Sequence, residues 1–135
     1  MGQLILNGSK YFNFYTVAQL KQEIIKHKGK ILKISGYTEE QFQEIFQLLS
    51  NQITFVDDIL IADAELKKAV SLVSGIDEND ALFVALANHL HSSLWTGDKQ
   101  LTEGLLSKGF NRIISTEKLY NIYIQKELKS QKLKK

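Results

Sequence analysis

The chain has 135 residues, 44% of them hydrophobic and 24% charged, which is enough to bury one core and reads as one domain. It contains no cysteine, which excludes disulfides and thiolate metal sites and suits a reducing compartment. The formal net charge of +2 is uneven: residues 117–135 carry six lysines against two glutamates, so residues 1–116 are mildly acidic and offer no broad nucleic-acid platform.

No apolar run approaches the roughly 18 residues that a membrane span needs. The opening MGQLILNGSK has no basic segment ahead of its apolar patch, so it makes a poor signal peptide. Leu6 stands where an N-myristoylation signal wants a small hydroxyl residue. We therefore expect a cytoplasmic protein without a membrane partner. The lysine-rich end, residues 131–135, reads as a solvated basic tail, with contact to phosphates as the alternative.

FNFYT, 12–16, is rich in aromatic side chains and predicts a short strand. A helix follows over 17–29, with Val17, Leu20, Ile24 and His27 along one face, Thr16 as its cap and Gly29 as its end. The helix at 38–50 is strongly signalled: Thr38 to Gln41 form a capping box, and Phe42, Ile45, Phe46 and Leu49 form an apolar stripe. ITFVDD, 53–58, is a β-branched strand, and a helix over 62–74 stops at Gly75.

A further helix is predicted over 76–91. Asp77, Glu78 and Asp80 lie in its first turn, where negative charge complements the helix dipole. Its apolar residues cover more than one face, as expected of a helix buried against a sheet. SLWT at 93–96 and RIIST at 112–116 are strands, separated by a helix over 99–108, and a last helix runs over 117–130. Short apolar strands alternating with helices predict the α/β class, with a mainly parallel sheet covered on both faces. Ligands of such sheets gather at the carboxyl ends of the strands.

Asp98 sits there, directly after the strand 93–96. Asp77 and Asp80, three residues apart, share a helical face near an N-terminus, and the chain order allows all three acids to converge. Clustered carboxylates are tolerated chiefly around a hard cation such as Mg²⁺ or Mn²⁺. The plainer alternative makes Asp80 a first-turn acid and Asp98 the cap of the next helix. Glu23, inside a helix and followed by two isoleucines, is a further candidate ligand; alternatively it is an i,i+4 partner of His27. His89 and His91 are separated by about 200° on a helix and make a poor zinc pair. There is no phosphate loop, no GxGxxG and no serine or cysteine with a convincing base.

The run DENDALFVALANHLHSSLWTGDKQL, 77–101, resembles the PIN-domain family of metal-dependent ribonucleases, whose members include the toxins of toxin–antitoxin pairs. The similarity extends back through FYTVAQLKQEIIKHK and forward through GFNRIISTEKL. The resemblance implies a three-layer α/β/α sandwich over residues 1–130, and acids that hold Mg²⁺ or Mn²⁺. Glu23 matches the family's early-helix glutamate, Asp80 the acid opening the helix after the third strand, and Asp98 the acid of the Thr-Gly-Asp turn. Asp77 is similar to an auxiliary acid, and Thr96 to the hydroxyl residue near the site. RNA as substrate, an antitoxin-like partner and a homodimer belong to the same expectation.

The departure lies at the start. A typical member opens with a central strand ending in aspartate, followed by a hydroxyl residue, an asparagine and a helix. Here 22 residues precede Glu23, and LILNG, which has the look of a strand, fits better as part of the link from the first helix to the second strand. The expectation is thus an N-terminally truncated PIN-like chain without the central strand and its aspartate. In the family order 3-2-1-4-5 the sheet would lose its middle strand. A closer 2–4 pairing, a rearranged N-terminus or a strand from another chain would have to satisfy the backbone. The remaining acids would hold metal less firmly, which leaves two alternatives: a ribonuclease, or a non-catalytic dimeric interaction protein on the same scaffold. A receiver-like domain fits poorly, since Asp57 and Asp58 lack the early acidic pair it requires.

Overall fold

The structure, a computed structural model, describes residues 2–133. The backbone divides into two compact units at the Asp58–Ile59 bond.

The first unit begins with helix α1 (Gly2–Gly8), so the strand-like LILNG segment is helical. Leu4 and Gly8 are buried, and the amides of Tyr11 and Phe12 both donate to the Gly8 carbonyl at 2.9 Å. This tight turn feeds strand β1 (Phe14–Val17). Helices α2 (Ala18–Lys26) and α3 (Lys28–Ser35) follow where one helix is predicted. The break falls at His27, whose φ of −99° and ψ of 17° depart from helical values. Thr16 is not the cap: extended backbone runs on to Val17, which pairs with Val56, and no side chain caps α2. Gly29 lies inside α3, and the terminator is Gly36, whose φ of +76° suits glycine.

Helix α4 (Glu39–Asn51) has the predicted capping box. Thr38 Oγ1 accepts from the Gln41 amide at 3.1 Å, and Gln41 Oε1 accepts from the Thr38 amide at 2.9 Å. Its stripe buries Phe42, which stacks on Phe46 with ring centroids 5.7 Å apart. Lys28 reaches over the Phe42 ring and pairs with Glu39, which holds the Glu39 carboxyl below the usual range. Strand β2 (Ile53–Val56) then lies parallel to β1, from Phe14 opposite Ile53 to Val17 opposite Val56.

The second unit is centred on helices α5 (Asp63–Val73) and α6 (Ala81–Leu90). Ala69 and Val73 on the first, and Val84 and Ala85 on the second, are wholly buried. Small side chains at Ala81, Ala85 and Ala87 let the helices approach closely. Strand β3 (Leu94–Trp95), helix α7 (Lys99–Ser107), strand β4 (Ile113–Ile114) and helix α8 (Thr116–Leu133) complete it. β3 and β4 are parallel, with Leu94 opposite Ile113, and the Trp95 indole donates to Thr116 Oγ1 at 2.9 Å. The expected basic tail is helical as far as Leu133, and residues 134–135 lie outside the described residues.

The expected parallel sheet is therefore present as two separate two-stranded ladders. Their pairing is the order 3-2-1-4-5 read without its first strand: three with two, and four with five. Among the described residues no strand precedes β1.

Candidate functional site

The Thr-Gly-Asp turn is built by its own backbone bonds. The Thr96 amide donates to the Ile114 carbonyl at 3.2 Å and so closes the β3–β4 ladder. Its hydroxyl accepts from the Asp98 amide at 3.1 Å, and Asp98 Oδ1 accepts from the Leu101 amide at 3.1 Å. Asp98 is thus the N-cap of α7, at the positive end of that helix dipole. The cap bond uses one carboxylate oxygen, and the residue is exposed.

The other acids sit in a 3₁₀ turn, Glu78–Asp80, rather than in a first α-helical turn, because α6 begins only at Ala81. Asp77 Oδ1 accepts from the Asn79 amide at 3.0 Å, fixing that turn. Asp80 is half-buried. Burial, then the negative charges of Asp77 and Asp98, push its carboxyl above the usual range. The structure therefore brings two of the predicted acids, Asp77 and Asp98, into electrostatic range of a third, Asp80.

Glu23 belongs to the first unit, on α2, and is exposed. Its Oε2 lies 3.6 Å from His27 Nε2, the i,i+4 arrangement named as its alternative.

Among the described residues, no three histidine, cysteine, aspartate or glutamate side chains gather around one point that could hold a metal ion. The oxygen donors near Asp80 suit Mg²⁺ or Mn²⁺ in character. Mg²⁺ commonly keeps several waters and takes one or two carboxylates. In donor type alone the acids suit such a hydrated ion, and among the described residues they form no closed cage.

A family model described as a PIN domain matches residues 1–125. The chain belongs to the PIN-domain family. No curated protein and no solved structure matches it. The mixed α/β architecture with parallel strands is consistent with a PIN-like α/β/α sandwich. Across the described residues of this PIN domain, no helix is long and apolar enough to cross a membrane.

Sequence reasoning passed over a second group in this PIN domain. Lys68, Asn88, Lys108 and Arg112 line a cleft of about 220 Å³ near the C-terminal end of α6. They are scattered over 45 positions of the chain, with no spacing that links them. The one signal available was that Arg112 is the only arginine present.

Proposed function

We propose that the protein is a PIN-type endoribonuclease that hydrolyses RNA phosphodiester bonds with Mg²⁺ or Mn²⁺ bound. The observation that carries this is the setting of Asp80, a half-buried carboxylate that burial, Asp77 and Asp98 push above its usual range. Family membership over residues 1–125 supplies the context. Such an ion, when bound, activates water and stabilises the charge developing on the scissile phosphate. Asp80 and Asp98 would hold it, and Asp77 would add negative potential beside them. Asp98 is pre-oriented by its cap bond and Thr96 by the ladder, so neither must be ordered on binding. For Glu23, as metal ligand and catalytic residue, support comes from the family resemblance alone. A cytoplasmic setting accords with a chain that has no cysteine. An antitoxin-like partner follows from the same family reading, and a homodimer from the pairing that the absent central strand leaves to be supplied.

A second reading, a non-catalytic interaction protein on this scaffold, is favoured by the lack of a three-ligand cluster among the described residues. Calorimetric titration of Mn²⁺ separates the two. Micromolar binding that an Asp80→Asn, Asp98→Asn double variant loses, together with Mn²⁺-dependent RNA cleavage lost in the same variant, is the expected result. A folded wild-type protein that binds no Mn²⁺ would overturn the nuclease. A metal-indifferent oligomer in sedimentation velocity would then favour the second reading.

A further inference from the structure

We propose that the cleft near the C-terminal end of α6 is a phosphate-binding site, separate from the carboxylates. Its lining contains three cations, Lys68, Lys108 and Arg112, and no aspartate or glutamate. Among the described residues, none of the three has an ion-pair partner. Each comes from a different part of the second unit: α5, the end of α7, and the position before β4.

Cations beside helix C-termini often do no more than complement the dipole. That explains Lys108, whose Nζ donates to the carbonyls of Ser74 at 2.6 Å and Ser71 at 3.4 Å, at the end of α5. It does not explain the other two. Lys68 is exposed in the middle of α5 and, among the described residues, its side chain makes no hydrogen bond. Arg112 is held in place by its surroundings. Its carbonyl accepts from the Leu94 amide at 2.7 Å, and its guanidinium lies 3.3 Å from His91 Nδ1. A guanidinium only donates, so Nδ1 is the acceptor there, and further N–H groups of the fork remain for a ligand.

His91 itself is unusual. It ends α6 with a φ of +53°, a position that glycine normally fills, and its ring is the one that steadies Arg112. The wall also holds Asn88, whose Nδ2 is buried without a hydrogen-bond partner. Such orphan donors are rare in native proteins, and this one belongs to a residue of the cleft wall.

Charge and shape together select the ligand. An arginine fork in one lining with two lysines matches the tetrahedral oxygens of a phosphoryl group better than a monatomic anion. A volume of 220 Å³ is well above the roughly 10–15 Å³ that a single water requires, and leaves room for a phosphoryl group with part of its shell. Asn88 lies eight residues beyond Asp80, roughly 12 Å along the helix axis at 1.5 Å per residue, so the phosphate site and the acids occupy opposite ends of α6.

The phosphoryl group comes either from a small molecule or from an RNA strand, and one experiment distinguishes these. Inorganic phosphate, adenosine 5′-monophosphate and a short single-stranded oligoribonucleotide are each titrated by calorimetry at low salt in EDTA. The chelator removes any contribution of a metal at the acids, so failure here leaves the nuclease reading untouched. We expect Lys68→Ala and Arg112→Gln to weaken binding about tenfold each, the effect of losing one charge-assisted hydrogen bond. Lys126→Ala, on α8 and outside the cleft, leaves it unchanged. Similar affinity for all three probes identifies a small phosphorylated ligand. Much tighter binding of the oligonucleotide, dependent on both residues, identifies RNA. The proposal is overturned if no probe binds the wild type. It is equally overturned if Lys68→Ala and Arg112→Gln, shown to be folded by circular dichroism, bind as the wild type does, or if Lys126→Ala loses as much.

Discussion

Asp98 serves as a helix cap whatever else it does, and that makes its charge separable from its geometry. Asp98→Ala removes the bond to the Leu101 amide and is expected to cost about 1 kcal/mol in thermal unfolding. Asp98→Asn keeps an equally good cap and should hold its melting temperature while losing Mn²⁺ affinity. An asparagine variant that melts as low as the alanine one would show that the charge, not the cap, stabilises α7. Asp80 has the opposite balance. Its folded-state pKa lies above the ordinary 3.8, so folding favours its protonated form. The stability from this group is full below about 3.8 and is lost as pH rises through the higher folded value. Asp80→Asn should therefore melt above the wild type at pH 7, and the gap should close toward pH 4. Since Asp80 is partly exposed, screening keeps the gain to the order of 0.5 kcal/mol. A gap that widened toward low pH would contradict the assignment. The residue types and spacing of both acids were legible in the sequence. Their mutual influence was not, because it depends on where a 3₁₀ turn and a helix cap place them.

At the scale of elements, local chemistry was readable wherever side chain and backbone act within four residues. The α4 capping box and the Gly75 stop were recognised on that basis. The break at His27 was not, since residues 17–29 carry one helical period and neither α2 nor α3 buries a residue completely. Gly104 shows the converse, a local weakness with a tertiary cause. It lies inside α7, where alanine would ordinarily be better by about 1 kcal/mol. A Cβ there would stand 2.3 Å from Ile76 Cδ1 and 2.8 Å from its Cγ1. Overpacking of that kind costs about 1–3 kcal/mol, so Gly104→Ala should destabilise by roughly 1 kcal/mol net in urea unfolding. Adding Ile76→Ala to it should bring back the helix-propensity gain. Stabilisation by Gly104→Ala alone would mean that Ile76 swings aside freely.

The molecule as a whole is organised as two units, each with its own parallel ladder. The 3₁₀ turn Asp58–Leu60 marks the boundary between them, and there Ile59 is 80% and Leu60 63% exposed. Exposed turns of this kind are cut before helices, which must unfold locally to enter a protease. Limited chymotrypsin digestion should thus cleave first after Leu60, read by mass spectrometry of the earliest fragments. First cuts inside α4 or α6 would show that those helices open more easily than the turn.

The sequence by itself determined the α/β class, the four described strands, the bounds of α4, α5 and α7, the PIN-domain resemblance and the candidate acids Asp77, Asp80 and Asp98. These depend on periodicity, turn chemistry and short motifs, in which the interacting groups are neighbours along the chain. Tertiary structure alone decided that the described strands form two separate ladders with no 2–4 pairing between them, why glycine stands at 104, and that Lys68, Asn88, Lys108 and Arg112 share one wall. Those outcomes depend on side chains that are distant in sequence and meet only after loops close. No local pattern encodes which distant partners will meet, because any of several apolar faces could bury the same surface.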